Sequence, residues 1–403
     1  MDKAKNPFSP GAGTQPPELT GRSAILGRSQ TVLQRIRNGR HDRSSILFGL
    51  RGVGKTVLLN RIQKLADDHG YHSALLEAPE EKRLAELLAP PLRRLLLKLD
   101  LVAGTKDKLR KALGALRAFA GAFEVKIGDV GVGIRPELGV ADSGTLEADV
   151  TDLLVAVGEA AAERGTSVAL LVDELQYVEE SELAALLAGL HRVGQLGLPL
   201  VMFGAGLPQI VGLTGKAKSY AERLFDFSEV GPLKEADARK AIREPIIREN
   251  AAIRDDALDE LVRVTQGYPF FLQEWGSHAW NTAKRSPITR DDVEITSKEA
   301  IEALDRGFFH VRLDRLSPSE RNYLRAMAEL GPGPHRSGDI AACLRRPVEQ
   351  VAPIRASVIA KGMAYAPSHG DTAFTVPMFD SYMHRVIPNF TPPVPRPRRK
   401  KKE

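Results

Sequence analysis

The sequence predicts a parallel α/β domain followed by an all-α region and a small C-terminal winged helix. Three observations carry this. An apolar segment at Ser44 passes through a glycine-broken loop into an apolar-periodic helix. A second apolar segment, at Ser167, ends in two acids. The last folded stretch reads as three helices and a hairpin. The chain has 403 residues, 43% apolar and 27% charged, which is enough for two or three globular domains.

In the first segment, Ser44 to Ile62, Gly49-Leu50-Arg51-Gly52-Val53-Gly54-Lys55-Thr56 fits G-x-x-x-x-G-K-[ST], the phosphate loop, with Val57 continuing into the helix. Glycines let backbone N–H groups turn inward around phosphate oxygens, and the helix presents its positive end to the same anion. Lys55 is expected to reach the β- and γ-phosphates of ATP, and Thr56 to offer its hydroxyl to Mg²⁺.

"SVALLVDELQYV", Ser167 to Val178, reads as a buried parallel strand ending in Asp173 and Glu174. Acids at the carboxyl end of such a strand lie where open α/β sheets bind ligands. Asp173 is expected to hold Mg²⁺, and Glu174 to orient and deprotonate the attacking water. A solvated strand end is the plain alternative. "LPLVMFGAGLPQI", Leu198 to Ile210, supplies a third strand, so strands and helices alternate as in a parallel sheet.

The order of these motifs resembles the AAA+ and STAND group of P-loop ATPases, particularly ATP-binding proteins related to origin-recognition ATPases, over about residues 18 to 390. "PPELTGR" resembles the group's Gly-Arg signature, which implies backbone near Gly21 and Arg22 around adenine. "AERLF" sits where such families carry an arginine finger. That resemblance implies that Arg223 acts on the γ-phosphate of a neighbouring subunit in a nucleotide-dependent homo-oligomer; pairing with Glu222 or Asp226 is the alternative. "TQGYPFFLQ" is similar to the Gly-x-Pro motif of the helical lid, placing Gly267 and Pro269 near the nucleotide. Two departures imply slow hydrolysis. Gly204-Ala205-Gly206 stands where a polar γ-phosphate sensor is usual, and Tyr268-Pro269 where many members carry an arginine.

The predicted organisation is a disordered segment at 1–17, an ATPase core at 18–230 with an insertion at about 81–147, a helical lid at 231–316, a winged helix at 317–390 and a disordered basic tail at 391–403. The insertion contains two amphipathic helices, which pack on the core or a partner or else lie on a membrane surface, and a hairpin around Gly128-Asp129. In the winged helix, Ser317 caps the first helix with Glu320 three residues on, and Pro353 delays or kinks the third. Gln350, Arg355 and Lys361 on that helix, with Arg345 and Arg346 in the turn before it, are the candidate DNA contacts. Winged helices also dock proteins, so that alternative stays open.

Charge adds little to this. The net +6 is concentrated in "TPPVPRPRRKKKE", with six Lys/Arg against one Glu, so the body is nearly neutral. That tail would tether nucleic acid or simply solubilise. Cys343 is the sole cysteine, which excludes internal disulfides and Cys-based zinc sites. The polar, Pro/Gly-rich start and the short apolar runs give an expectation of a cytoplasmic protein without membrane spans. Three functional readings remain: an ATPase coupling nucleotide state to DNA or a partner, a STAND-type switch with slow hydrolysis and a protein-docking winged helix, and a DNA-binding regulator with a structural ATP site.

Overall fold

The computed structural model describes residues 1–11, 13–78, 82–100, 107–128 and 135–392. At its centre is a five-stranded parallel sheet of β1 (Ser44–Phe48), β2 (Tyr71–Glu77), β3 (Ser167–Asp173), β4 (Leu200–Gly206) and β5 (Phe225–Glu229), in the order β2-β3-β4-β1-β5. The strand carrying the glycine loop and the strand carrying the two acids therefore lie two apart, with β4 between them.

All seven residues of β3 are buried, because both faces of the sheet are covered. Ala169 and Leu171 face one apolar cluster, and Val168, Leu170 and Val172 the other. The first cluster is closed by α1 (Ser23–Arg37) and α2 (Lys55–Asp68). The second is closed by α3 (Leu84–Asp100), α4 (Asp107–Ala122), α5 (Leu146–Glu163) and α6 (Glu180–Gln195). The basic amphipathic helices α3 and α4 thus bury their leucines against the core; among the described residues no helix is long and apolar enough to cross a membrane. Two short helices, α7 (Ile210–Ala217) and α8 (Ala221–Leu224), lead into β5.

The helical region comprises α9 (Glu235–Arg248), α10 (Asp255–Thr265), α11 (Pro269–Thr282), α12 (Arg290–Leu304) and α13 (His310–Asp314), the last two joined by a wide turn at Asp305–Phe309. It shares the first cluster through Phe271, Leu272, Trp275 and Phe309.

The C-terminal unit runs α14 (Pro318–Glu329), β6 (His335–Arg336), α15 (Ser337–Cys343), α16 (Val348–Ala360), β7 (Ala364–Tyr365), β8 (Asp371–Phe374) and α17 (Phe379–Val386). Its strands pair antiparallel in the order β6-β8-β7, so the expected three helices and hairpin are present. The Ser317 cap forms as read, with Ser317 and Glu320 bonding each other's backbone N–H.

Four expectations are corrected or limited. The segment 1–17 is held at particular points although much of it is exposed: Phe8 is 4% exposed, and the Asn6 side chain donates to Ser277 and Asn281. A Pro/Gly-rich composition gives flexibility only while nothing holds the chain, and here one aromatic ring finds a slot. Pro353 lies inside α16, five residues after its start, so it does not delay the helix. The hairpin around Gly128-Asp129 lies partly outside the described residues, and Val125–Gly128 carry no strand. Most of the 391–403 tail, from 393 on, also lies outside them.

Candidate nucleotide site

The loop after β1 is pinned from several sides before any ligand is considered. The Gly49 amide donates to Gly206 O at 3.2 Å, which ties the loop's start to the end of β4. Gly52 and Gly54 take φ of 82° and 94°, a region that L side chains rarely enter. Arg22, buried, donates to Val53 O at 3.2 Å and Gly231 O at 2.5 Å, so its guanidinium braces the loop against the start of the helical region. Burial pulls its pKa down. The Phe270 amide donates to Gly52 O at 3.2 Å and the Tyr268 hydroxyl donates to Arg51 O. Burial raises the Tyr268 pKa.

Lys55 opens α2 and is 7% exposed. Its ammonium donates to Gly49 O at 3.0 Å and Leu50 O at 2.9 Å. Burial pulls its pKa down to about 8, although Glu174 and Asp173 oppose that shift. The Thr56 hydroxyl donates to Asp173 Oδ2 at 2.6 Å. Asp173 is 5% exposed, and its pKa is raised mainly by burial. Glu174 has φ 55° and follows β3 directly. Its backbone N–H donates to Asp173 Oδ1 at 2.8 Å, and its carboxylate accepts from Gln176 and faces Arg51 Nη1 at 3.8 Å. The other end of the Gln176 amide accepts from Leu207 N at 2.9 Å. Gln176 therefore links the acid to the end of β4.

Along β4 no side chain reaches the site. A Cβ at Gly204 would lie 2.3 Å from Leu175 Cδ1, so glycine lets the turn after Glu174 pack against the sheet.

These groups surround a pocket of about 540 Å³, within the range of small-molecule sites. Gly52, Val53, Gly54, Lys55, Thr56, Val57, Glu174, Arg22 and Pro269 line it. Gly21, Gly49, Gly267 and Asp173 stand just behind the lining. Gly21 lies against Asp237 and Leu233, and the Gly267 carbonyl accepts a 2.8 Å hydrogen bond from the Leu233 amide. Residues not anticipated from sequence also line it: Ser9 to Pro16 in part, Phe270, Phe308, Glu274 and Arg312. Arg312 sits over the Phe308 ring at 3.7 Å and donates to Phe308 O at 2.7 Å. Burial, with Arg51 and Arg315 nearby, lowers its pKa to about 10, so it stays charged at neutral pH. A lone Arg with no motif spacing gave no sequence signal; its i,i+4 relation to Phe308 is the one local clue.

Arg223 lies apart. It is exposed on α8, just before Phe225, and Phe225 is in register with Ser44 at the start of β1. That is the opposite end of the sheet from the loop. Asp226 is held by Arg28 at 3.0 Å, and no ion pair of Arg223 occurs among the described residues. Of the candidate DNA contacts, Arg345 and Gln350 are exposed and Arg346 half-buried. Arg355 instead donates to Thr372 Oγ1 and Asp371 O, and Lys361 to Glu320 and Arg315 O. These two cations are engaged within the C-terminal unit because its own strands and the α14 cap present acceptors to them.

Fold and loop together define a P-loop ATPase domain of the AAA+ type. Residues 18–203 match the AAA ATPase domain family and are such a domain; residues 306–383 match a domain of unknown function (DUF8462). Among solved structures the chain is similar to the Aeropyrum pernix Orc1 protein in complex with DNA, with 14% identity over 91% of this chain and 93% of that one and a TM-score of 0.45. It is also similar to the Thermotoga maritima RuvB Holliday junction branch migration motor, with 14% identity over 92% and 96% and a TM-score of 0.44. Cdc6p from Pyrobaculum aerophilum gives 15% identity over 96% and 98% and a TM-score of 0.43. No curated protein matches the chain.

Proposed function

We propose that the protein binds ATP with Mg²⁺, hydrolyses it slowly, and couples nucleotide state to engagement of DNA or a protein partner through its C-terminal unit, read as a winged helix. The observation that carries this is the Thr56–Asp173 hydrogen bond of 2.6 Å, which joins loop and acidic strand end across 117 positions of sequence. Hydroxyl and carboxylate oxygens side by side are the donor set that magnesium takes. When bound, the ion would neutralise phosphate charge. Lys55 gives up the carbonyls of Gly49 and Leu50 for β- and γ-phosphate oxygens. Glu174 takes a proton from the water that attacks the γ-phosphorus; the bond from that phosphorus to the β–γ bridging oxygen breaks, leaving ADP and phosphate. Arg312 adds positive charge from the helical side. Arg223, at the opposite end of the sheet from its own loop, serves the site of a neighbouring copy. The absence of a polar side chain on β4 supports slow turnover.

A second reading, the STAND-type switch, is favoured by one contact. The Arg51 amide donates to Thr375 O at 3.2 Å, and Gly362 lies against the Arg51 guanidinium. The C-terminal unit thus touches the loop directly, and its release or docking would follow the nucleotide. The test is ATP turnover with and without duplex DNA across protein concentrations. Turnover that rises with concentration and responds to DNA supports the first reading, and slow turnover indifferent to DNA supports the switch. No magnesium-dependent ATP binding at all would refute both.

A further inference from the structure

We propose that residues 6–11 and 13–20 form a third wall of the nucleotide site, a strap tied to the helical region at both ends that holds a bound nucleoside triphosphate in place. This rests on reading the pocket as a nucleotide site.

At its first end the strap runs along α11. The Asn6 side-chain amide donates to Ser277 O at 3.1 Å, Ser277 Oγ at 3.0 Å and Asn281 Oδ1 at 3.1 Å. Phe8 packs directly over Gly276: a Cβ added there would lie 2.7–2.9 Å from three of its ring carbons. The Ser9 amide donates to Gln273 Oε1 at 3.4 Å. At its far end, the Thr20 hydroxyl donates to Asp237 at 2.7 Å, and Glu18 pairs with Lys240 at 3.4 Å and with Arg248, all on α9. Between these anchors, described residues on either side of position 12 lie at the start of α2. Ser9, Gly11, Gly13, Thr14 and Pro16 line the same pocket as Lys55 and Thr56. Gly13 approaches so closely that a Cβ there would be 3.2 Å from Thr56 Cγ2.

A ligand whose phosphates lie in the loop Gly49–Thr56 is therefore covered by a segment whose hold depends on Phe8 and Asn6. Nucleotide release requires the strap to lift, and a strap anchored on α11 and α9 moves with those helices. Nucleotide exchange and motion of the helical region become one event.

The test uses full-length protein with Phe8→Ala and, separately, Gly276→Ala. Alanine is the better helix former, so loss of α11 cannot explain an effect of the second variant; its new methyl group instead displaces the Phe8 ring. Release of a fluorescent ATP analogue, loaded with magnesium and chased with excess ATP, is followed by stopped flow, with thermal melting as a control on folding. Release at least tenfold faster in both variants, with Phe8→Leu near wild type, is the expected result. Unchanged release in both variants, or tighter binding when the ring is removed, overturns the strap while leaving the nucleotide site intact. Failure of the wild type to bind any magnesium nucleotide overturns both.

Discussion

The Arg51 guanidinium lies 3.8 Å from the Glu174 carboxylate while the Arg51 backbone N–H donates to Thr375 O, so one loop residue touches both the acid after β3 and the C-terminal unit. Arg51 occupies a variable position of the phosphate-loop pattern, where sequence assigns no role. Its side chain also donates to the Tyr177 hydroxyl. Removing it frees Glu174 and loosens the docked unit together. Arg51→Ala should raise ATP turnover about fivefold, the rate equivalent of losing about 1 kcal/mol of hydrogen bonding, and should speed limited proteolysis around residue 317. Turnover at or below wild type with unchanged proteolysis would contradict this role.

The pH dependence of binding follows from Lys55. In the free protein burial lowers its pKa to about 8, whereas a bound triphosphate favours the ammonium and raises it. Above pH 8 binding therefore has to recover a proton, and affinity should fall towards tenfold per pH unit. ATP itself is fully ionised there and adds no slope. Calorimetry between pH 7.5 and 9.5 checks this, and Lys55→Ala should bind at least a hundredfold more weakly at pH 7.5. A flat profile would mean that the ammonium does not meet the phosphates.

Arg223 supplies an assembly prediction. It is exposed and lies at the far end of the sheet from its own loop, so under the proposed finger role the site it serves belongs to another copy. Specific activity should rise with protein concentration, and Arg223→Ala should lower turnover about tenfold or more without altering ATP affinity. A rate independent of concentration would remove this role.

The C-terminal unit carries an acid-sensitive contact. Burial alone would raise the Glu320 pKa, but bonds from Lys361, Ser357 and Ser317 outweigh it and hold the carboxyl at about 2. Its folded value is depressed, so its stabilising effect is complete above the ordinary carboxylate range and is lost as pH falls from about 4.5 towards 2. Glu320→Gln should destabilise this unit by about 1–3 kcal/mol at neutral pH, and its melting midpoint should change less than wild type between pH 5 and pH 3. Parallel pH profiles would show that the carboxylate contributes nothing.

What was legible in the sequence had strong local causes. Gly52, Gly54, Lys55 and Thr56 are required by the geometry of one turn, and Asp173 and Glu174 end a strand whose seven residues are all buried. The Ser317 cap was equally local, with both partners within one helical turn. What escaped depended on contacts far apart in the chain. Phe8 in a Pro/Gly-rich stretch gives no hint that Gly276 leaves room for it. Arg312 follows an aromatic pair with no phosphate motif, and reaches the pocket only because the helices fold back over the loop. The strand β2, "YHSALLE", is an edge strand exposed at Leu75 and Glu77, and its polar residues leave no continuous apolar run to mark it. Arg355 and Lys361 looked like a groove-facing cationic surface, but acceptors within their own unit take both.

The most direct test of the central claim compares wild type with Glu174→Gln for both magnesium–ATP affinity and phosphate release. The site as built predicts affinity within a few fold of wild type and turnover reduced at least a hundredfold, because the amide fills the same space but accepts no proton. Parent-like phosphate release by the glutamine variant would contradict the assignment of Glu174 and, with it, the chemistry assigned to the joined ends of the glycine loop and β3.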